Sequence, residues 1–335
     1  MKYAELGSSG LKVSRICLGT VFRSEQDETS CLEAIQQAAE LGCNYLDGAN
    51  VYRDGFSEKI IGKAIRGCRD QFIVSTKVGS PEKGITTSGG LSRGEIMRAV
   101  EASLQRLDTD YLDTYLCHFP DPDTPLSETL RAMDDLVQQG KIRHVGVSRF
   151  EGWRLAESLF FCELEKISPP VCHQLCYSLL DRCIEEEVLP YCHSKSIAVT
   201  VFATTAIGLL SGRYRYGQPP PRDTSWYRGP YNYRTAMTQH VDQVIQAVME
   251  IATVHEKTPS QIAMAWCLAQ PGITSVITGA DTAQRVRENC AAIDICLSPE
   301  ELKYLCQIAE GQRLVIHKDC PQGYTRMAKD SGQKD

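Results

Sequence analysis

Short apolar, β-branched runs recur along this chain, each followed by a stretch with apolar residues three and four apart. That alternation limits the folds open to it. The runs fall at 15–18, 44–48, 72–78, 111–119, 143–148, 171–177, 198–204 and 275–279. Helix-period stretches fall at 29–41, 57–66, 93–107, 126–139, 153–163, 185–193, 241–255 and 260–269. Several carry start signals, such as Ser92 ahead of Glu95 and Thr258 ahead of Pro259. Near-continuous apolar strands are buried on both faces, which implies an α/β fold with a parallel sheet covered by helices. Eight strand–helix units in 335 residues suit a single closed (β/α)8 TIM barrel. A doubly wound open sheet normally carries G-x-G-x-x-G after its first strand, and none occurs here. Residues 3–6 and 11–13, joined by Gly7-Ser8-Ser9-Gly10, read as a β-hairpin ahead of the barrel. One domain is expected over 1–311, followed by a partly flexible C-terminal extension over 312–335.

No apolar run reaches the roughly 18 residues of a membrane span. The first residues lack the apolar core of a signal peptide, so a cytoplasmic protein is expected. A net charge of -6 gives no reason to expect nucleic acid or an anionic membrane as partner. The 15 cysteines are odd in number and scattered, with no C-x-x-C pair, which argues against a disulfide framework or a zinc site. Most sit in apolar runs, where a reduced thiol behaves as a small hydrophobe. No metal is implied.

Chemistry-bearing residues stand where the apolar runs end. Asp47 closes the second run, with Tyr52 five residues later; Lys77 is near the end of the third and His118 near the end of the fourth. In a (β/α)8 barrel the C-terminal strand ends face the active site. Each residue alone has a bland reading as a cap, an ion-pair partner or a structural histidine. On adjacent strands of one barrel they form a proton-transfer set. A phenol beside an ammonium titrates below its free value of about 10, because the cation stabilises the phenolate. Tyr52 next to Lys77 is therefore the expected acid and base. One segment breaks the rhythm: 213–234 is rich in Tyr, Arg, Pro and Gly and includes Trp226 and Tyr227. A long loop there suits substrate contact, a disordered insertion, or packing on the barrel rim.

With these residues in view, the chain resembles the aldo-keto reductase family over more than four-fifths of its length. The match rests on Leu18-Gly19-Thr20, Asp47 with Tyr52, Ser75-Thr76-Lys77, His118-Phe119-Pro120-Asp121-Pro122 and Gly140-Lys141-Ile142-Arg143. Gly146-Val147-Ser148, Gly208-Leu209-Leu210-Ser211-Gly212 and Gly279-Ala280 with Arg285, Glu288 and Asn289 complete it. The resemblance implies reversible hydride transfer between a nicotinamide and a carbonyl, with Asp47, Tyr52, Lys77 and His118 as the catalytic tetrad. It implies cofactor contacts from Gly19, Thr20, Asp47, Ser148, Gln174, Phe202, Gly279, Asp281, Arg285, Glu288 and Asn289. Ser148 and Gln174 would hold the carboxamide, and Phe202 would stack on the nicotinamide.

Three departures from the family pattern matter. Arg149 stands where an Asn is usual; it has no acceptor, which turns it toward substrate or phosphate. Phe202-Ala203-Thr204 replaces Tyr-Ser-Pro, keeping the ring and losing the hydroxyl. Asp281 stands near the site of a 2′-phosphate, which a carboxylate would repel while accepting from a free 2′-hydroxyl. Arg285 on the following helix pulls the other way, so NADP(H) and NAD(H) both stay open, with NAD(H) expected to serve at least as well. The substrate is a small carbonyl or alcohol meeting Tyr52 and His118, with Arg149, Trp226 and Tyr227 as further contacts. The competing reading is a redox-sensing regulatory or binding subunit on the same fold.

Overall fold

The apolar runs become eight parallel strands that close on one another in a computed structural model describing residues 1–22, 27–311 and 314. Tyr3–Glu5 (β1) and Lys12–Ser14 (β2) form a separate antiparallel hairpin. The barrel strands are Ile16–Gly19 (β3), Tyr45–Asp47 (β4), Ile73–Val78 (β5), Leu112–Cys117 (β6), Ile142–Ser148 (β7), Pro170–Cys176 (β8), Ala198–Phe202 (β9) and Ile273–Gly279 (β10). Their order round the barrel is β10-β3-β4-β5-β6-β7-β8-β9. The (β/α)8 TIM barrel with an N-terminal hairpin is thus the observed architecture.

The helices are Glu28–Glu40 (α1), Phe56–Ala64 (α2), Arg93–Leu107 (α3), Leu126–Gln138 (α4), Gly152–Glu165 (α5) and Val188–Ser194 (α6). Ser225–Arg228 (α7), Tyr233–Ala236 (α8), Gln239–Val254 (α9), Pro259–Ala269 (α10), Ala283–Cys290 (α11) and Pro299–Ile308 (α12) follow. Ser92 caps α3 by accepting from the Glu95 amide, and Thr258 and Gln261 cap α10 reciprocally. Among the described residues, four helices lie outside the eight expected stretches: α7 and α8, single turns in and at the end of 213–234, and the longer α11 and α12. In α11 only Val286 and Cys290 are buried, so its apolar signal is too sparse to read. In α12 only Leu305 is buried, and its capping box of Ser298 and Glu301 is the visible cue. The expected helix at 185–193 is a 3₁₀ turn at Cys183–Glu185 followed by α6.

The period of two along each strand sorts side chains between two cores. Ile16, Leu18, Leu46, Tyr115, Cys117 and Val276 pack outward under the helices. Cys17, Tyr45, Leu116, Cys172, Ala198 and Ile277 form a second cluster with Leu6 and Val13 of the hairpin region. The hairpin therefore plugs the bottom of the barrel. Gly7 is required there: its φ is +59°, and a Cβ would come within 2.3 Å of the Val171 carbonyl oxygen. Stepping up by twos from the inner cluster leads to Gly19, Asp47, Lys77, His118, Gln174, Phe202 and Gly279. The sequence pattern thus delivers these residues to one end of the barrel interior.

The fourteen cysteines among the described residues are free thiols, nine of them buried. No helix among those residues is long and apolar enough to cross a membrane. Segment 213–234 is folded. Tyr214, Trp226 and Tyr233 are buried in the outer core, and Arg213 holds both oxygens of Asp223 at 2.7 and 2.8 Å. The extension expected at 312–335 lies outside the described residues except for Leu314, whose amide donates to Leu180 O at 3.0 Å.

Candidate active site

Asp47 ends β4, Lys77 is the penultimate residue of β5, and His118 follows β6 directly. The turn after Asp47 is tied to its neighbours. Thr20 donates to the Asp47 carbonyl through its amide at 2.9 Å and its hydroxyl at 3.0 Å. The Gly48 amide donates to Ser75 O at 2.8 Å. Tyr52 follows within this turn, its amide donating to Ala49 O at 3.1 Å.

Lys77 is fully buried. Its ammonium donates to Asp47 Oδ2 at 2.7 Å and to the Gly48 carbonyl at 2.6 Å, and reaches the Tyr52 phenol oxygen at 3.4 Å. Gln174 Nε2 donates to the other Asp47 oxygen at 2.9 Å. Both carboxylate oxygens are therefore satisfied, which a buried charge needs. Burial alone would lower the Lys77 pKa, but the charge of Asp47 and the Tyr52 phenol outweigh it and hold the pKa raised. Lys77 is an ammonium at any physiological pH.

His118 is buried, stacked on Phe119 at 4.5 Å between ring centroids and edge-on to Tyr52 at 5.8 Å. Its Nδ1 lies 3.3 Å from Ser80 Oγ. Burial, and then the charges of Lys77 and Arg149, push its pKa well below the usual histidine range. The imidazole is neutral, with one N–H to donate. Ser80 was not foreseen, although it is a hydroxyl two residues past the end of β5. Asn50 was also missed: its amide is buried, and neither its oxygen nor its nitrogen has a hydrogen-bond partner among the described residues.

Across the barrel mouth, Ser148 Oγ donates to the Gln174 carbonyl at 2.9 Å, and the Arg149 amide donates to the same oxygen at 3.0 Å. Arg149 adopts a φ of +59°, and its guanidinium lies over the rings of Phe119 at 4.4 Å and Phe202 at 4.9 Å. Arg149 thus joins His118 and Phe202 in one constellation. Beneath it His173 is fully buried, its Nε2 accepting from the Phe150 amide at 3.1 Å, and burial pushes its pKa down to about 3. Left-handed backbone at Ala203, Ala206 and Ile207 follows Phe202, a strained path for a β-branched residue. Trp226 holds that path. Its Nε1 donates to Ile207 O at 3.1 Å, while its ring packs on Tyr231 and Tyr233. Trp226 is therefore buried in the rim, whereas Tyr227 is exposed.

The end of β10 forms the remaining part of the mouth. Among the described residues, no atom beyond Gly279 and its chain neighbours lies within 4 Å of where its Cβ would stand, and Gly19 lies on the adjoining strand. Asn289 Nδ2 donates to Thr278 Oγ1 at 2.7 Å, and Thr282 caps α11. Asp281 is buried and meets the exposed Arg285 at 3.9 Å, while Glu288 accepts from Gln284 at 3.0 Å on the helix surface. Beside His118 a cavity of about 310 Å³ opens between Gly79–Pro81, Gly90–Leu91 and Phe119–Asp121. Among the described residues no group of three or more His, Cys, Asp or Glu side chains stands close enough to hold a metal ion.

The chain is similar in sequence to known proteins over most of its length. The sequence model described as Aldo/keto reductase family matches residues 15–310. A probable voltage-gated potassium channel subunit beta from Arabidopsis thaliana is 33% identical over 93% of this chain and 98% of its own length. The NADH-specific methylglyoxal reductase of Escherichia coli K12 is 32% identical, over 92% of this chain and 99% of its own. Aldo-keto reductase YhdN of Bacillus subtilis 168 is 33% identical, over 84% and 85%.

Proposed function

The chain belongs to the aldo/keto reductase family, and from that premise we propose that it is a nicotinamide-dependent carbonyl reductase in which Tyr52 carries the proton. The observation that carries this reading is the buried ammonium of Lys77, 2.7 Å from Asp47 and 3.4 Å from the Tyr52 oxygen. A bound dihydronicotinamide supplies the hydride. As negative charge builds on the carbonyl oxygen, Tyr52 delivers its proton there, and Lys77 stabilises the phenolate left behind. Asp47 and the Gly48 carbonyl hold the ammonium in place. Neutral His118 donates a hydrogen bond to the same oxygen, from Nε2 when Ser80 donates to Nδ1. Alcohol oxidation runs through the same residues in reverse.

The residues at the mouth fit the cofactor. Gln174 gives one N–H to Asp47, and its amide oxygen, with Ser148 Oγ, is able to accept from a carboxamide. Phe202 offers a ring for stacking. The open backbone at Gly279 and the capped start of α11 suit phosphate, with Gly19 and Thr20 on the adjoining strand end and Arg285, Glu288 and Asn289 toward the adenosine. Asp281 would accept from a free ribose 2′-hydroxyl and repel a 2′-phosphate, so NADH serves at least as well as NADPH. The name of the Escherichia coli relative supports this preference. The remainder of the substrate, an aldehyde, ketone or sugar, enters the cavity beside His118, with Arg149 stacked on its Phe119 wall and the exposed Tyr227 of 213–234 as a further contact. Trp226 supports that rim from within. We read 1–311 as the catalytic domain of a cytoplasmic enzyme whose partner is a small molecule.

The relatives named as potassium channel beta subunits support a second reading, a binding subunit that senses nicotinamide redox state with little turnover. The intact set of Asp47, Tyr52, Lys77 and His118 favours turnover. Steady-state assays of aldehydes, ketones and sugars with NADH and NADPH, in both directions, decide between the two. Turnover on the order of 1 s⁻¹ or faster supports the enzyme. Cofactor binding without turnover across the panel replaces it with the binding subunit.

A further inference from the structure

One guanidinium on the outside of the barrel reaches three of the segments that carry the candidate site. Arg106, near the end of α3, donates through Nε to Glu58 Oε2 at 2.5 Å, through Nη1 to Glu82 Oε2 at 3.3 Å and through Nη2 to Ser103 Oγ at 3.3 Å. Glu58 is fully buried in α2, and its other oxygen accepts from Thr76 Oγ1 at 2.6 Å. Thr76 is the neighbour of Lys77 in β5. Gly55, three residues beyond Tyr52, has a φ of +83° and sits so close that a Cβ there would lie 2.7 Å from Arg106 Cδ. Glu82 belongs to the loop that follows β5 and carries Ser80.

The same loop is tied a second time. Glu82 Oε1 accepts from Arg98 at 2.5 Å, Arg98 pairs with Glu95, and Glu95 Oε1 accepts from the Gly89 amide at 3.0 Å. The Arg106, Glu58 and Glu82 side chains are 17%, 0% and 10% exposed, so these contacts are little screened by solvent. None of these side chains contacts Asp47, Tyr52, Lys77 or His118 through a hydrogen bond described above. They act on the segments that bear them.

We propose that Arg106 is a positioning residue for proton transfer: through Gly55, Glu58 and Glu82 it fixes the Tyr52 turn, the Lys77 strand and the Ser80 loop relative to one another. The proposal rests on the carbonyl-reductase reading. Its geometry calls for Arg rather than Lys, because the planar fork places three nitrogens at fixed, separate positions facing Glu58, Glu82 and Ser103, a span that a single ammonium nitrogen does not cover. A misplacement of about 1 Å between reacting groups costs on the order of 100-fold in rate.

The test compares Arg106→Leu, Arg106→Lys and Glu82→Gln in the full chain. The readouts are kcat and KM, the primary isotope effect with C4-deuterated dihydronicotinamide, and hydrogen exchange. Arg106→Leu is expected to lower kcat roughly 10- to 100-fold with a smaller change in KM and a larger isotope effect. Exchange should quicken in 52–56 and 79–91 while β3 and β10 keep their protection. Arg106→Lys and Glu82→Gln should show the same pattern more weakly, with Lys restoring part of the rate. If Arg106→Leu does not fold, the other two variants decide on the same readouts. Folded variants with unchanged kcat, isotope effect and exchange overturn the proposal. So does a rate loss that follows uniform loosening of the whole barrel. If the unmodified protein binds nicotinamide but reduces no carbonyl, the reductase reading fails by itself, and the exchange pattern still judges the brace.

Discussion

The two ends of the barrel mouth are held by opposite means. At the proton-transfer end, Lys77 and Asp47 are 0% and 4% exposed, sit 2.7 Å apart, and have further partners in Gly48 and Gln174. At the rim proposed for the nucleotide, the buried Asp281 faces an Arg285 that is 62% exposed, and their charges are 3.9 Å apart. A buried pair with a donor on each carboxylate oxygen has few other arrangements open to it. A pair 3.9 Å apart with its cation in solvent is weakly held, worth about 0–1 kcal/mol, and leaves the Arg285 side chain able to rearrange around a ligand. The first end suits chemistry that is fixed in advance. The second suits a contact whose preference shifts with a single charge.

That contrast can be broken most forcefully at Lys77. Lys77→Met leaves the Asp47 carboxylate buried with Gln174 alone, and removing one partner of a buried pair costs about 3–5 kcal/mol. Thermal or denaturant unfolding should show that loss, together with a fall in kcat of about 10²–10⁴-fold. A variant as stable as the unmodified protein would remove the rigid half of the comparison. Gln174→Ala is the next largest. It strips one oxygen of Asp47 of its donor, and the expected destabilisation is about 1.5–3 kcal/mol by denaturant midpoint.

Acid titration probes the same buried end. The pKa values of His118 and His173 are depressed by burial, that of His173 to about 3. The unfolded chain then binds more protons than the folded one below the free histidine value of about 6.5. Their contribution to stability is complete above that pH and is lost as the pH falls from there toward 3. Denaturant midpoints measured across this range should decline on the acid side. Replacing His173 with Gln, whose amide oxygen can accept from Phe150, should flatten the decline. A slope unchanged by that replacement would show that His173 is not depressed.

The smallest effect on stability is expected at the rim. Asp281→Arg replaces a buried carboxylate whose cationic partner is exposed, and the unfolding free energy should fall by about 1 kcal/mol. It should raise the NADPH to NADH ratio of kcat/KM about tenfold, the equivalent of about 1.4 kcal/mol. A strong NADPH preference in the unmodified protein would contradict the role given to Asp281.

The contrast also explains which features were legible in the sequence. Asp47, Lys77, His118 and Gln174 follow the inward period of two along four of the barrel strands, so placing the strands places them. The barrel and its hairpin were readable for the same reason. Ser80 was overlooked because it lies just past its strand, with no periodic pattern to mark it. Arg106, Glu58 and Glu82 were invisible because their partners come from separate segments that only the closed barrel brings together. The tyrosines and Trp226 of 213–234 left substrate contact and rim packing equally open. Burial of Trp226 and its bond to Ile207 O assign that side chain to the rim.

The central claim is that Tyr52 carries the proton and Lys77 stabilises the phenolate it leaves. Tyr52→Phe keeps the ring and removes only the hydroxyl, so nicotinamide binding and thermal stability should stay close to those of the unmodified protein. The most direct measurement is single-turnover reduction of a carbonyl by the Tyr52→Phe variant loaded with dihydronicotinamide. The account predicts a rate lower by about 10²–10⁴-fold. A Tyr52→Phe enzyme that reduces its substrate at the unmodified rate would contradict it.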